Sequence, residues 1–459
     1  MTSVARRVAF SVLTDVYRHQ AYPNLALQRA LARERMHSDD RALCTNIVYG
    51  TLQRQLTLDA LIFPLLRHGV DGLDPQVLTI LRMTVYQLCF LSKIPEYAAL
   101  NEAVELAKIA APRAKGFVNG VLRTFVREGD CQSRIAERLE KESSWDERMS
   151  VLYSMPAWIV SMWQNEFGED GTTRILESLN QPGFLSLRVN EMKANRDVVL
   201  TEIHREFGSE AAVPSPVHPS GIRLTLGFDI ERWAPYREGT VSVQDEAAML
   251  VAPLLQPRLH RRVLDMCAAP GSKTAHIAEL QGDDGSIDAV DVHPHKGKLM
   301  EKGFSRLHLK SIRTHIEDAR RWADSQERRE AYDAVLLDAP CSGFGVMRHR
   351  PDIRYKRTRK DVLNLVSVQR ELLSEAMRLV RKGGLLVYST CTLNPAENED
   401  AIRYALAGND DFEIDDIRLD MPQEVYARAF GVGSNIGLTV TPDLFGTDGF
   451  YLARLRRKG

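Results

Sequence analysis

Two thiols stand at comparable places in the sequence. Cys341 follows Asp338 and Pro340 in "DAPCSGFG", at the end of the apolar run "YDAVLL", and Cys391 closes a second apolar run, "GGLLVYSTC". A cysteine at the end of one strand reads as a small buried hydrophobe. Two at equivalent ends of neighbouring strands, one just behind an acid, point instead to nucleophilic chemistry, because a thiolate can form a transient covalent bond to carbon. Residue types alone leave open which sulfur does so.

A ligand-binding loop lies further upstream. The run "RRVLDM" leads into "CAAPGSKT", in which Cys267, Ala268, Ala269, Pro270, Gly271, Ser272 and Lys273 precede a helix. Small residues there let the backbone approach a ligand closely. Asp291 ends the next strand, where folds of this type place a carboxylate on a ribose hydroxyl. G-x-G-x-x-G is absent, and so is G-x-x-x-x-G-K-[ST], which disfavours a dinucleotide or ATP and fits a smaller nucleoside such as S-adenosyl-L-methionine. Asp318 and Asp338, at two further strand ends, are candidates for its adenine amino group and its cationic methionine part. His293, His295, His308 and His315 have no metal-ligand spacing, so no metal is expected.

These residues need a frame. From about residue 236 to 459, strands and helices alternate, which predicts a Rossmann-like α/β domain with a parallel sheet and ligands at the carboxyl ends of its strands. Residues 1 to about 140 repeat apolar positions at helical spacing and predict an all-α bundle with a mild basic excess. Residues 145 to 235 mix the two patterns: "FLSLRVN" and "GIRLTLG" read as strands, "AWIVSMWQNEF" and "RDVVLTEIHREFG" as helices, and "VPSPVHPSG" as a loop. A small α+β module is expected there. The chain is therefore multidomain, and its 44% hydrophobic and 26% charged residues are ordinary for a globular protein. A net charge of −1 excludes a uniformly basic coat. No signal peptide and no membrane span are indicated, so the expected location is cytoplasmic. The six cysteines lack any C-x-x-C pair and are expected to be free, with Cys44, Cys89 and Cys131 on helical core faces.

Together "CAAPGSKT", "DAPCSGFGVMRHRPDIRY", "YSTCTLNPAENED" and "DGFYLARL", in that order, resemble the RNA (cytosine-5)-methyltransferase family. The stretch "ALNEAVELAK…GFVNGVLRTF" resembles the NusB-like domain fused to the branch acting on bacterial 16S ribosomal RNA, the RsmB, Sun or Fmu type. The resemblance implies methyl transfer from S-adenosyl-L-methionine to cytosine C5, with Cys391 attacking C6 and Cys341 assisting product release. It also implies that Asp338 holds the base and that Lys273 faces the same cavity. Ser272, Phe344 and Thr392 depart from the usual family pattern but leave both thiols and the strand-end carboxylates in place.

Beyond Cys341, the run "RHRPDIRYKRTRK" carries Arg348, Arg350, Arg354, Lys356, Arg357, Arg359 and Lys360. Its nearness to a reactive thiol predicts a phosphate-binding rim for RNA, and a structured RNA would have to present a flipped-out base. The expected partner is 16S rRNA, with no DNA, no membrane and a monomeric chain. The alternatives are the same chemistry on tRNA or another rRNA cytosine, and a catalytically silent RNA-binding assembly factor.

Overall fold

Apolar residues three and four apart wind the first part of the chain into helices that each bury one face. The structure, a computed structural model, describes residues 3–67, 69–257, 261–429 and 436–459. Helices at Val4–His19, Ser38–Gln53, Pro75–Phe90, Glu96–Ala110 and Lys115–Arg127 share a core that includes Val12, Leu13, Ile47, Ile80, Leu106 and Leu122. Asp74 caps one helix by accepting from the Gln76 amide, with Pro75 in the first turn, and Asp130 caps another. Within this core Arg82 donates to both carboxylate oxygens of Asp59, each at 2.7 Å.

The helical unit comprises Met1–Asn180 and Met347–Lys356. By their contacts the helices Trp145–Tyr153 and Ala157–Leu179 group with the helical unit, and so does part of the arginine-rich run. The cysteines differ from expectation. Cys89, near the end of Pro75–Phe90, is joined to Cys131, at the start of Cys131–Leu139, with α-carbons 5.4 Å apart. Both are half-buried, and no sequence motif marks two helix ends that meet 42 residues apart. Cys44, Cys267, Cys341 and Cys391 are free thiols, and Cys44 is fully buried as expected.

The second unit comprises Gln181–Val346 and Arg357–Gly459 and holds two sheets. Strands β1 (Leu185–Val189), β2 (Ala212–Pro214), β3 (Gly221–Leu224) and β4 (Val241–Val243) form an antiparallel sheet in the order β2-β3-β1-β4. The helix Arg196–Phe207 adds Val199 and Ile203 to the core over it. Strand β2 occupies the start of the stretch expected as a loop, and β4 carries the module past residue 235. From β1 the fully buried Arg188 donates to Glu279 at 2.8 and 3.1 Å and to the Ser272 carbonyl at 3.0 Å, which ties the module to the helix that follows the glycine loop.

Strands β5 (Arg262–Asp265), β6 (Ser286–Asp291), β7 (Ile312–Ile316), β8 (Tyr332–Asp338), β9 (Val380–Thr390), β10 (Phe412–Ile414), β11 (Leu438–Val440) and β12 (Phe450–Arg457) form the larger sheet. Its order is β10-β12-β9-β8-β5-β6-β7, with β11 also on β12. The pairs from β7 to β9 are parallel, as the alternating pattern predicts, while β12 runs antiparallel to β9. Such central strands are apolar on both faces because helices cover them. Their carboxyl ends bring Asp265, Asp291, Asp338 and Thr390 to one edge. No helix of the described residues is long and apolar enough to cross a membrane.

Candidate active site

The glycine loop turns tightly between β5 and the helix Ser272–Leu280. The Ala268 amide donates to Val290 and the Gly271 amide to Ala268, at 2.9 and 2.7 Å. Gly271 has a φ of 98°, and a β-carbon there would come within 2.9 Å of the Phe304 ring, so only glycine fits. Asp291 accepts the His293 amide at 2.9 Å and the Ala269 amide at 3.3 Å, so this carboxylate fixes the loop as well as facing the edge. Asp318 caps the helix Ala319–Ala323 and pairs with Arg320 at 2.7 Å, so both its oxygens already meet protein donors.

Asp265 was not singled out by sequence. It is almost fully buried, and one oxygen accepts from Thr274 Oγ1 at 2.7 Å. The other meets no donor at full hydrogen-bond geometry among the described residues. Burial pushes its carboxyl up to about 7, and Asp338 pushes the same way, while Thr274 and Lys273 oppose them. An orphaned buried carboxylate oxygen beside a small-residue loop, with Asp291 one strand away, fits a cationic nucleoside such as S-adenosyl-L-methionine. Cys267 lies in this loop, and burial, then Asp265, raises its thiol well above the usual range. It is a poor candidate for a nucleophile.

The thiols lie one and two strands along. Asp338 accepts Lys273 Nζ at 2.7 Å and Ser389 Oγ at 2.8 Å. Lys273, in the first turn of its helix rather than in the loop, also lies over the Phe450 ring. Although burial works against its charge, Asp338 holds its proton more tightly than usual. Cys341 Sγ and Cys391 Sγ are 3.3 Å apart. Their environments separate them in opposite directions. The hydrogen bond between the sulfurs raises Cys341 well above the usual thiol range, with burial adding to it. The same bond lowers Cys391, and Lys273 helps, against burial and Asp338. The pair thus favours ionisation of Cys391 over Cys341. Gly345 supports the pair: its amide donates to the Cys391 carbonyl at 2.9 Å, and a β-carbon there would collide with the Gly449 backbone.

The cationic run divides. Arg354 is fully buried, and its guanidinium donates to the carbonyls of Gln53, Tyr153, Ser154 and Leu179 and to the Asn180 side chain. Arg348 is buried and donates to Ser178. Arg350 pairs with Asp352, and Lys356 donates to the carbonyls of Gln20 and Ala21. Of the seven, Arg359 and Lys360 are exposed, at the start of the helix Arg359–Leu379, and Arg357 is half-buried. The seven therefore do not form one phosphate-binding rim. Four of them instead serve the packing of the helical unit.

Comparison with known proteins follows this division of parts. The chain is 38% identical over its full length to the "Probable ribosomal RNA small subunit methyltransferase B" of Bacillus subtilis (strain 168), covering 99% of that protein. The chain belongs to the RsmB/F family of 16S rRNA methyltransferases. The description "16S rRNA methyltransferase RsmB/F" matches residues 252–456, the NusB family residues 3–127, and the RsmF/B-like ferredoxin-like domain residues 155–231. A second RsmB relative, from Synechocystis sp. (strain ATCC 27184 / PCC 6803 / Kazusa), is 36% identical over 99% of both chains. Among solved structures, PH0851 covers 100% of both chains with a TM-score of 0.81 at 24% identity, so the two share a fold over the whole length. The multidomain class and the methyltransferase assignment expected from sequence both hold.

Proposed function

We propose that this RsmB/F enzyme transfers a methyl group from S-adenosyl-L-methionine to C5 of a cytosine in 16S rRNA, through a covalent bond between Cys391 and C6. The observation that carries this reading is the 3.3 Å thiol pair with opposed proton affinities beside Asp338 and Lys273. Bound at the glycine loop, the sulfonium supplies the methyl group. Asp291 and Asp265 receive the nucleoside and its cationic end, while Asp338 holds the base by accepting from its exocyclic amine.

Cytosine C5 is a weak nucleophile. Addition of the Cys391 thiolate to C6 breaks the C5–C6 double bond and leaves an electron pair that C5 uses to accept the methyl group. Cys391 is then a neutral thioether, and the main influence holding the Cys341 proton has gone. Cys341 loses its proton to solvent and, as thiolate, takes the proton from C5. The double bond re-forms and expels the Cys391 thiolate, which the Cys341 thiol again stabilises. Bisulfite mapping of 16S rRNA from cells with and without the protein tests the reading. One cytosine is expected to lose its methyl group in the deletion strain, and an unchanged 16S map with a lost tRNA methylation would reassign the substrate.

A further inference from the structure

Behind the thiols lies a polar cluster that the reaction does not use. Glu397 is completely buried, six residues past Cys391, in the turn Pro395–Glu397. Among the described residues no cation pairs with it; four neutral donors do. Its Oε1 accepts the Ser342 amide at 2.8 Å and Gln369 Nε2 at 2.9 Å. Its Oε2 accepts Ser342 Oγ at 2.5 Å and Asn394 Nδ2 at 2.9 Å. Gln369 Nε2 also donates to the Pro340 carbonyl at 2.9 Å, so the residues on both sides of Cys341 are tied to one carboxylate.

Asn398, the next residue, holds the other thiol in the same way. Its Nδ2 donates to the Thr392 carbonyl at 3.0 Å, and its Oδ1 accepts from Thr390 Oγ1 at 2.6 Å, one contact on each side of Cys391. Ser342 Oγ and Thr392 Oγ1, 2.7 Å apart, connect the two loops directly. Tyr388 Oη donates to the Glu397 carbonyl at 2.6 Å and fixes the turn against β9.

A buried carboxylate without a cation is costly to keep, and four good hydrogen bonds offset the cost only while all the partners stay in place. We propose that Glu397 and Asn398 are paired positioning residues: Glu397 sets the Cys341 loop, Asn398 sets the Cys391 loop, and their adjacency fixes the distance between the sulfurs. This inference rests on the two-thiol reading, since registry matters only if both sulfurs serve the same base. Two separately mobile loops would let Cys391 attack while leaving Cys341 out of reach of C5. A clasp built from consecutive residues makes the two arrive together.

The distance between sulfurs can be read without RNA or cofactor. Diamide oxidises two neighbouring thiols to a disulfide as it is itself reduced to the hydrazine, and the rate follows both the thiolate fraction and how often the sulfurs meet, so the variants are compared across a range of pH. Peptide mapping of the full-length protein separates a Cys341–Cys391 link from other products. Glu397→Gln keeps the shape and removes the charge; Glu397→Ala removes the clasp. In both, the rate of the Cys341–Cys391 link is expected to fall at least tenfold and kcat on 16S rRNA at least tenfold, with the dissociation constant for S-adenosyl-L-methionine within twofold of wild type. The unchanged cofactor affinity marks a folded cofactor site. A linking rate at the wild-type level overturns the proposal, whatever happens to kcat, and so does a slow link with normal turnover. If Cys341→Ala, with Glu397 intact, turns over on 16S rRNA at the wild-type rate, the two-thiol reading fails, while the diamide rates measured with both thiols present still report whether Glu397 sets the loops.

Discussion

The sulfurs of Cys341 and Cys391 are hydrogen-bonded to each other across adjacent parallel strands, 3.3 Å apart, so that the state of one fixes the proton on the other. The first test separates their roles. Cys391→Ala is expected to abolish methyl transfer and any covalent RNA adduct. Cys341→Ala should still attack and methylate but release slowly, so that a denaturant-resistant adduct with methylated RNA accumulates. The reverse pattern on denaturing gels would exchange the two assignments.

The same bond makes a pH prediction. The hydrogen bond with Cys341 lowers the proton affinity of Cys391. Methyl transfer in a single turnover rises with pH as Cys391 ionises, and losing that bond raises its folded-state pKa. In Cys341→Ala the rising limb should therefore move to higher pH. A limb that stays in place or moves lower would show that the sulfur bond does not activate Cys391.

Asp291→Ala is expected to weaken S-adenosyl-L-methionine binding by roughly 1.5–3 kcal/mol, the scale for losing a hydrogen bond to a charged group. Because Asp291 also accepts the Ala269 amide, Asp291→Asn should recover part of the loss by restoring the loop contact. Calorimetry showing wild-type affinity in the folded alanine variant would remove Asp291 from the cofactor site.

Asp265 links pH to stability. Its carboxyl titrates near 7 when folded, against an ordinary 3.8. A raised folded pKa means its contribution is fully present below about 4 and is lost as pH rises toward and through 7. Asp265→Asn removes this loss. Its melting temperature relative to the wild-type apoprotein should climb between about pH 4 and 7 and then level off. A pH-independent difference would mean that Asp265 ionises normally.

The divided arginine run predicts two kinds of effect. Arg354→Ala strands several buried carbonyls and should cost roughly 3 kcal/mol of stability, read as a lower melting temperature. Replacing Arg359 and Lys360 by glutamine should flatten the salt dependence of RNA affinity, because fewer counterions are released. Equal salt slopes would exclude those two residues from phosphate contact.

What was legible in the sequence depended on how local the signal was. Strands β5, β6, β8 and β9 could be read because buried parallel strands are short apolar runs, and each ends in a polar residue that the sheet brings to one edge. Asp338 and the two thiols could be found that way. Glu397 could not, since "NPAENED" shows three acids and nothing local says which one folds inward. Asp265 was hidden as the end of an apolar run. Arg354 was misread for a related reason: its acceptors are carbonyls from Gln53 to Asn180, which no reading of "RHRPDIRYKRTRK" could supply. The Cys89–Cys131 link likewise joins two helix ends that carry no shared motif.

The segment Met347–Lys356 also bears on how such a chain can change over evolutionary time. Its residues belong to the helical unit, although the sequence on either side belongs to the other. Cutting the gene after Asn180 would leave Arg354 on the wrong fragment, and the carbonyls it serves would lose their donor. An N-terminal module joined end to end can be shed by one deletion. Here that deletion would leave the Arg354 guanidinium without its acceptors, so the inserted segment opposes loss of the N-terminal part by a single cut.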